Sequence, residues 1–94
     1  MIKNFKDKRT RMIFEGEKIS KGISPILQDS AWKKLLILNR VSYVEDLTIP
    51  PSNHLEKLHG DRKDYYSIRI NKQWRICFRF EGENAFDVEL VDYH

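Results

Sequence analysis

The last three residues of the chain, Asp92-Tyr93-His94, carry side chains that can accept, donate or orient a proton. Histidine titrates near neutral pH, tyrosine can donate or accept a proton, and aspartate can orient an imidazole ring. Cleavage of RNA without a metal needs such groups, because a base must act on the 2′-hydroxyl and an acid on the leaving oxygen. A polar chain end with no chemical role is the alternative interpretation of the same residues.

Metal-free RNA cleavage also requires positive charge around the crowded phosphorane that forms at the scissile phosphate. The strands that precede the last three residues supply arginines, which carry such charge. Three runs of alternating apolar and polar residues, at 65–70, 74–80 and 85–91, are separated by polar turn-forming residues, which predicts a three-stranded antiparallel meander. The apolar positions form the predicted core face: Tyr66, Ile68, Ile70, Trp74, Ile76, Phe78, Phe80, Phe86, Val88 and Leu90. The opposite face is expected to lie uncovered and to carry Arg69, Arg75 and Arg79. Because arginine binds phosphate through a planar bidentate fork, this face predicts a phosphate-bearing ligand.

The residues before the meander are expected to cover its apolar face. A short basic helix is predicted at residues 7–15, and Ser24-Pro25 supplies an N-cap and a first helical residue for a second helix reaching residue 39. Residues 2–5 are a candidate edge strand, and residues 54–58 fit either a strand or a turn. We therefore expect one α+β domain over residues 1–94, with an antiparallel sheet of about four to five strands and two N-terminal helices packed on one face.

Composition restricts the class of protein. Hydrophobic residues make up 40% and charged residues 33% of the 94, as in a soluble globular domain, and the longest apolar run, residues 35–38, is far too short to span a bilayer. Cys77 is the only cysteine, so no internal disulfide can form, and it is expected to fill space within a strand. Glycine-rich phosphate loops, HExxH and paired cysteines are absent from the sequence, and we expect no cofactor and no metal. A cytoplasmic location is expected because the opening residues do not resemble a signal peptide.

Charge is unevenly distributed along the chain. Residues 1–22 hold seven Lys/Arg against three Asp/Glu, residues 55–80 hold the same numbers, and residues 81–94 hold five acidic and no basic residues. Two basic segments and an acidic last strand indicate an anionic partner on one surface, although an ordinary solvated surface would also fit a net charge of +3.

Two segments, LEKLHGDRKDYYSIRINKQWRICFRF and DVELVDYH, resemble the HigB toxins, the plasmid maintenance killer branch of the RelE/ParE superfamily. The resemblance covers essentially the whole chain, and its specific parts are the GDR turn, the SIRIN-x-QWRICF strand pair and the final DYH. It implies a RelE-like, microbial ribonuclease fold and a toxin of a type II toxin–antitoxin system that cuts mRNA on the ribosome. The implied partners are a HigA-like helix-turn-helix antitoxin, the ribosome and mRNA. DNA would be contacted only through the antitoxin, and no membrane contact is expected.

The resemblance also implies roles for individual residues. Arg75 corresponds to the strand arginine that steadies the scissile phosphate, and the final DYH corresponds to the catalytic cluster. A histidine or other basic group is expected shortly before the GDR turn, where His59 is slightly preferred over His54. The expected catalytic residues are Arg75, Asp92, Tyr93, His94 and His59, and the expected substrate-binding residues are Arg69, Arg79, Lys57, Arg62 and His54.

Two other functions remain open on the sequence. A ParE-like toxin would inhibit DNA gyrase by binding alone, and a non-toxic module would only bind nucleic acid. Neither needs the proton-transferring groups of Tyr93 and His94, so substitutions there discriminate both from an RNA-cutting enzyme.

Overall fold

The computed structural model describes residues 1–19, 21–58 and 64–93. Its elements, in chain order, are the helices α1 (Lys8–Phe14) and α2 (Pro25–Arg40), the 3₁₀ turns Val44–Thr48 and Pro51–Asn53, and the strands β1 (Glu56–Lys57), β2 (Tyr65–Arg69), β3 (Trp74–Glu81) and β4 (Asn84–Asp92). The strands form one antiparallel sheet in the order β1-β2-β3-β4. The predicted α+β fold with two helices is therefore confirmed, with four strands in the described sheet.

Both helices begin at a residue whose side chain caps the first turn, and the sequence predicted the second of these caps, Ser24. Asp7 accepts a hydrogen bond from the backbone N–H of Thr10 at 2.8 Å, and Ser24 accepts one from Leu27 at 3.1 Å. In α2 the buried residues recur at helical spacing: Leu27, Ala31, Leu35 and Leu38. They share a core with apolar residues of the central strands, so the helices cover one face of the sheet, as predicted. Among the described helices, none has the length and apolarity that a bilayer crossing requires.

The N-terminal segment closes the outer edge of β4 without forming a strand. Ile2 and Phe5 make isolated parallel bridges to β4, and the N–H groups of Lys3 and Lys6 donate to carbonyls of that strand at 2.8 and 2.9 Å. Farther along β4, the side-chain oxygen of Thr10 accepts from the Leu90 N–H at 2.9 Å. These contacts occupy backbone groups that an edge strand would otherwise expose.

A bulge breaks the alternation of β4. The β3–β4 register shifts between Cys77 and Arg79, and Asp87 adopts a left-handed conformation with φ 53°. Ala85 is consequently buried in the core, while the Phe86 ring lies 4.4 Å from the Arg79 guanidinium carbon. The prediction that Phe86 faces the core is therefore wrong, because one extra residue reverses the side to which the preceding residues point.

Candidate active site

Arg75 is the buried cation of the arginine face, with a relative exposure of 8%. Its Nε donates to the Ser67 hydroxyl at 2.9 Å, and its Nη2 donates to the His54 carbonyl at 2.6 Å and more weakly to the Ser67 carbonyl at 3.4 Å. Its remaining nitrogen, Nη1, lies 3.8 Å from the Glu56 carboxylate and makes no hydrogen bond within the described part of the chain. The edge of the guanidinium formed by Nε and Nη2 therefore anchors the group, and Nη1 is the nitrogen left to contact a ligand.

The prediction that this face is uncovered is wrong around Arg75. Ser67 and Cys77 on this face are also buried, and the segment before β1 reaches Arg75 through the His54 carbonyl. The Tyr93 ring centroid is 5.8 Å from the Arg75 guanidinium carbon, within the range of a cation–π contact. The Tyr93 N–H donates to the Gln73 carbonyl at 2.5 Å, which fixes the backbone just beyond β4. Tyr93 itself is exposed, with a relative exposure of 42%.

Asn53 sets the position of the His54 carbonyl. Its side chain is fully buried and donates to the carbonyls of Leu47 and Ile49 at 3.1 and 3.4 Å, while its side-chain oxygen accepts from Lys34 of α2. Burial lowers the pKa of Lys34 from its ordinary value. The next residue, His54, follows in a left-handed conformation with φ 42° and ψ 58°. A continuous set of contacts therefore links α2 to the anchored arginine, and His54 participates through its carbonyl.

The predicted grouping of three arginines on one face is confirmed by the register, which pairs Arg69 with Arg75 and Tyr65 with Arg79. Their surroundings differ. Arg69 is the cross-strand neighbour of Arg75, and its Nε donates to the Asn71 carbonyl at 3.1 Å. Arg79 lies about 13 Å farther along the strand at the usual rise per residue.

Arg79 is engaged by its own surroundings. Its guanidinium pairs with Glu81 and lies 3.8 Å from Asp87, while its carbon stacks on Phe86. Its charge is therefore already compensated, and the surroundings of Arg79 support a structural contact more than the predicted phosphate contact.

Asp87 joins three parts of the chain at this end of the face. Its carboxylate accepts from the Asn4 amide at 2.9 Å and from the Tyr65 hydroxyl at 3.0 Å. The hydrogen bond from Asn4 is the largest of several causes that lower the pKa of Asp87; the Tyr65 hydroxyl and the charges of Arg79 and Lys6 act in the same direction. This carboxylate therefore stabilises the bulge and the docking of the N-terminal segment.

Asp92 and Lys57 occupy strand positions that alternate with those of the Arg75 face. The register pairs Asp92 with Trp74, and its carboxylate accepts from the Gln73 amide at 3.1 Å. Lys57 pairs with Tyr66, whereas its neighbour Glu56 pairs with Ser67. Strand alternation therefore places Glu56 on the face of Arg75 and Lys57 on the opposite face.

Glu56 is the site residue that the sequence interpretation missed. Residues 54–58 fit a strand or a turn equally well, and only the pairing with β2 decides which of two adjacent side chains faces the arginine. His59, Arg62 and His94 lie outside the described residues, so their predicted roles remain predictions. Within the described residues, no group of three His, Cys, Asp or Glu side chains is arranged to hold a metal ion.

Two helices on one face of an antiparallel sheet, with an anchored arginine on the other face, are consistent with a RelE-like toxin. The sequence model of a family described as "RelE-like toxin of type II toxin-antitoxin system HigB" matches residues 3–94. Toxin HigB-1 of Vibrio cholerae serotype O1 is 38% identical over 90 residues, which cover 96% of this chain and 95% of that protein. Endoribonuclease HigB of Proteus vulgaris is 31% identical over 97 residues, with both chains covered completely.

The chain therefore belongs to the HigB family of RelE-like toxins, and the resemblance predicted from its sequence is confirmed. A toxin of a type II toxin–antitoxin system implies an antitoxin as its partner.

Proposed function

We propose that this toxin is an endoribonuclease that cuts mRNA on the ribosome, with its own side chains acting as acid and base. The observation that carries the proposal is Arg75, which is anchored through Nε and Nη2 and leaves Nη1 for a ligand. A cation held in advance is suited to the charge that develops on a phosphorane, because it needs no reorganisation during the reaction. The name of the Proteus vulgaris relative, an endoribonuclease, supports the same activity.

The proposed reaction is an attack of a ribose 2′-hydroxyl on the adjacent phosphorus. Arg75 stabilises the negative charge of the phosphorane through Nη1, and Tyr93 protonates the leaving 5′-oxygen. Tyr93 suits this role because its ring lies beside the guanidinium while its side chain remains exposed. Asp92, His94 and His59 stay in the proposal as predicted members of the catalytic set.

RNA binding is assigned to the basic segments. Arg69 adds a second positive charge directly beside Arg75, and the lysine and arginine excess in residues 1–22 and 55–80 would contact ribosomal RNA phosphates. The proposed partners are a HigA-like helix-turn-helix antitoxin, the ribosome and mRNA, with DNA contacted only through the antitoxin. The proposed location is the cytoplasm, where these partners are found.

A cleavage assay with two substrates tests this proposal. Purified protein is incubated with mRNA on programmed ribosomes and with the same mRNA alone, and a gyrase supercoiling reaction runs in parallel. We expect cleavage on the ribosome, little cleavage of the isolated mRNA and normal supercoiling. Inhibited gyrase with intact mRNA would instead establish the ParE-like alternative. No effect in either reaction would indicate a module that only binds nucleic acid.

A further inference from the structure

A carboxylate lies beside the nitrogen that Arg75 leaves for a ligand. The Glu56 Oε1 is 3.8 Å from Arg75 Nη1, which is longer than a hydrogen bond, and the Glu56 side chain is 58% exposed. The pairing of Glu56 with Ser67 directs it to the same side of the sheet as the guanidinium. Glu56 therefore borders the position where a phosphate bound to Nη1 would lie.

An ion pair alone is a poor explanation for this carboxylate. The separation of 3.8 Å is longer than a hydrogen bond and the carboxylate is exposed to solvent, so the pair contributes little to folding stability, and a negative charge beside a phosphate-binding arginine would repel the phosphate. The repulsion becomes understandable if the carboxylate performs chemistry on the substrate. Because Glu56 Oε1 is only 3.8 Å from Nη1, a phosphate bound to Nη1 at about 3 Å would leave the carboxylate beside the ribose that carries the attacking 2′-hydroxyl.

We propose that Glu56 is the general base of this toxin, taking the proton from the attacking 2′-hydroxyl. The inference deepens the proposed function and rests on it. The 2′-oxygen gives its proton to the Glu56 carboxylate and forms a bond to phosphorus, while the bond from phosphorus to the 5′-oxygen breaks. That oxygen takes the proton of the Tyr93 hydroxyl. The products are a 2′,3′-cyclic phosphate and a 5′-hydroxyl, and proton exchange with water restores both side chains.

Glu56→Gln tests the assignment, because the amide keeps the shape of the side chain but cannot accept the proton. We expect the rate of cleavage of ribosome-bound mRNA to fall by about 10²–10⁴, the usual effect of removing a general base. The matched control is Glu89→Gln. Glu89 points to the same side of the sheet, paired with Cys77, and forms an ion pair of the same 3.8 Å length with Lys6. The control should cut within a few-fold of wild type.

A second substrate distinguishes the role of Glu56 as a general base from that of a general acid. Sulfur is placed at the bridging 5′ position of the scissile phosphate, mapped first with wild-type protein, so that the leaving thiolate needs no proton. Tyr93→Phe should recover most of its lost rate on this substrate, whereas Glu56→Gln should not. Formate added to Glu56→Ala should restore part of the rate, because a small carboxylate can replace the missing base.

Other results would overturn the assignment. A Glu56→Gln protein with a normal melting temperature that cuts as fast as wild type, or faster, would show that Glu56 only compensates the charge of Arg75. Recovery of Glu56→Gln on the sulfur substrate would make it an acid. Absence of formate rescue would indicate a structural role. If wild-type protein does not cut mRNA at all, the proposed function fails and the base assignment fails with it.

Discussion

Replacing Arg75 should damage both folding and catalysis, and the structure indicates how to separate the two effects. Arg75→Ala removes the donors to the buried Ser67 hydroxyl and to the His54 carbonyl. Leaving each acceptor without its donor costs roughly 1–3 kcal/mol, so the free energy of unfolding should fall by about 2–6 kcal/mol. That is a large share of the roughly 5–15 kcal/mol available to a typical domain, so lost toxicity in Arg75→Ala could simply reflect unfolding.

Arg75→Lys is the sharper perturbation because it retains the charge. A lysine ammonium cannot reproduce the planar fork, so it cannot hold the Ser67 and His54 acceptors and still present a nitrogen to the phosphate. We expect a folded protein whose rate of cleavage falls by about 10²–10³, equivalent to roughly 3–4 kcal/mol of transition-state stabilisation. Urea unfolding gives the stability, and single-turnover cleavage of ribosome-bound mRNA gives the rate.

Arg79→Lys is the matched control on the same strand and face. The charge of Arg79 is already paired with Glu81 and Asp87, so this variant should lose some stability but cut at a nearly wild-type rate. If folded Arg75→Lys cuts within about tenfold of wild type, Arg75 does not stabilise the phosphorane in the way proposed. Equal losses in the Arg75 and Arg79 variants would also refute this stabilisation, because the anchoring of Arg75 would then have no special role.

Three further predictions concern stability, positioning and binding. Because the hydrogen bond from Asn4 lowers the pKa of Asp87 below its ordinary 3.8, the stability that Asp87 contributes is complete above that range and is lost as pH falls through the lowered pKa. Asp87→Asn, which tolerates the left-handed backbone, should therefore flatten the acid side of a plot of unfolding free energy against pH, and an unchanged plot would contradict this. Lys34→Met removes the donor to buried Asn53 and should slow cleavage as well as lower stability by roughly 1–3 kcal/mol. Lys33→Met, which removes an exposed ion pair, is its control, and equal cleavage by both would show that the Lys34 contact does not position the arginine. Ribosome binding should weaken steeply with added salt, and a flat titration between low and physiological ionic strength would exclude a phosphate-binding surface.

The parts of the fold that depend on local pattern were predictable. Alternation in residues 65–91 indicated the meander, and the Ser24-Pro25 pair indicated the start of α2, because strand alternation and helix capping involve residues close in sequence. The shared face of the three arginines followed from the same alternation.

Features that depend on long-range register could not be predicted. A left-handed residue at Asp87 turns Phe86 away from the core, although nothing in the local sequence distinguishes this aspartate from any other strand residue. The selection of Glu56 over Lys57 required the pairing of β1 with β2, and the burial of Arg75 required a carbonyl 21 residues away. The catalytic roles of His59 and His94 still rest on family resemblance.

Cleavage of mRNA that depends on Arg75 is tested most directly by the chemistry of the ends of cellular RNA. The toxin is expressed without antitoxin, and RNA ends are sequenced by methods that report their chemistry, with Arg75→Lys as the comparison. We expect new 5′-hydroxyl and 2′,3′-cyclic phosphate ends inside translated mRNAs with wild-type toxin, and few with Arg75→Lys. Growth arrest with intact mRNA and gyrase-dependent DNA breaks would contradict this expectation.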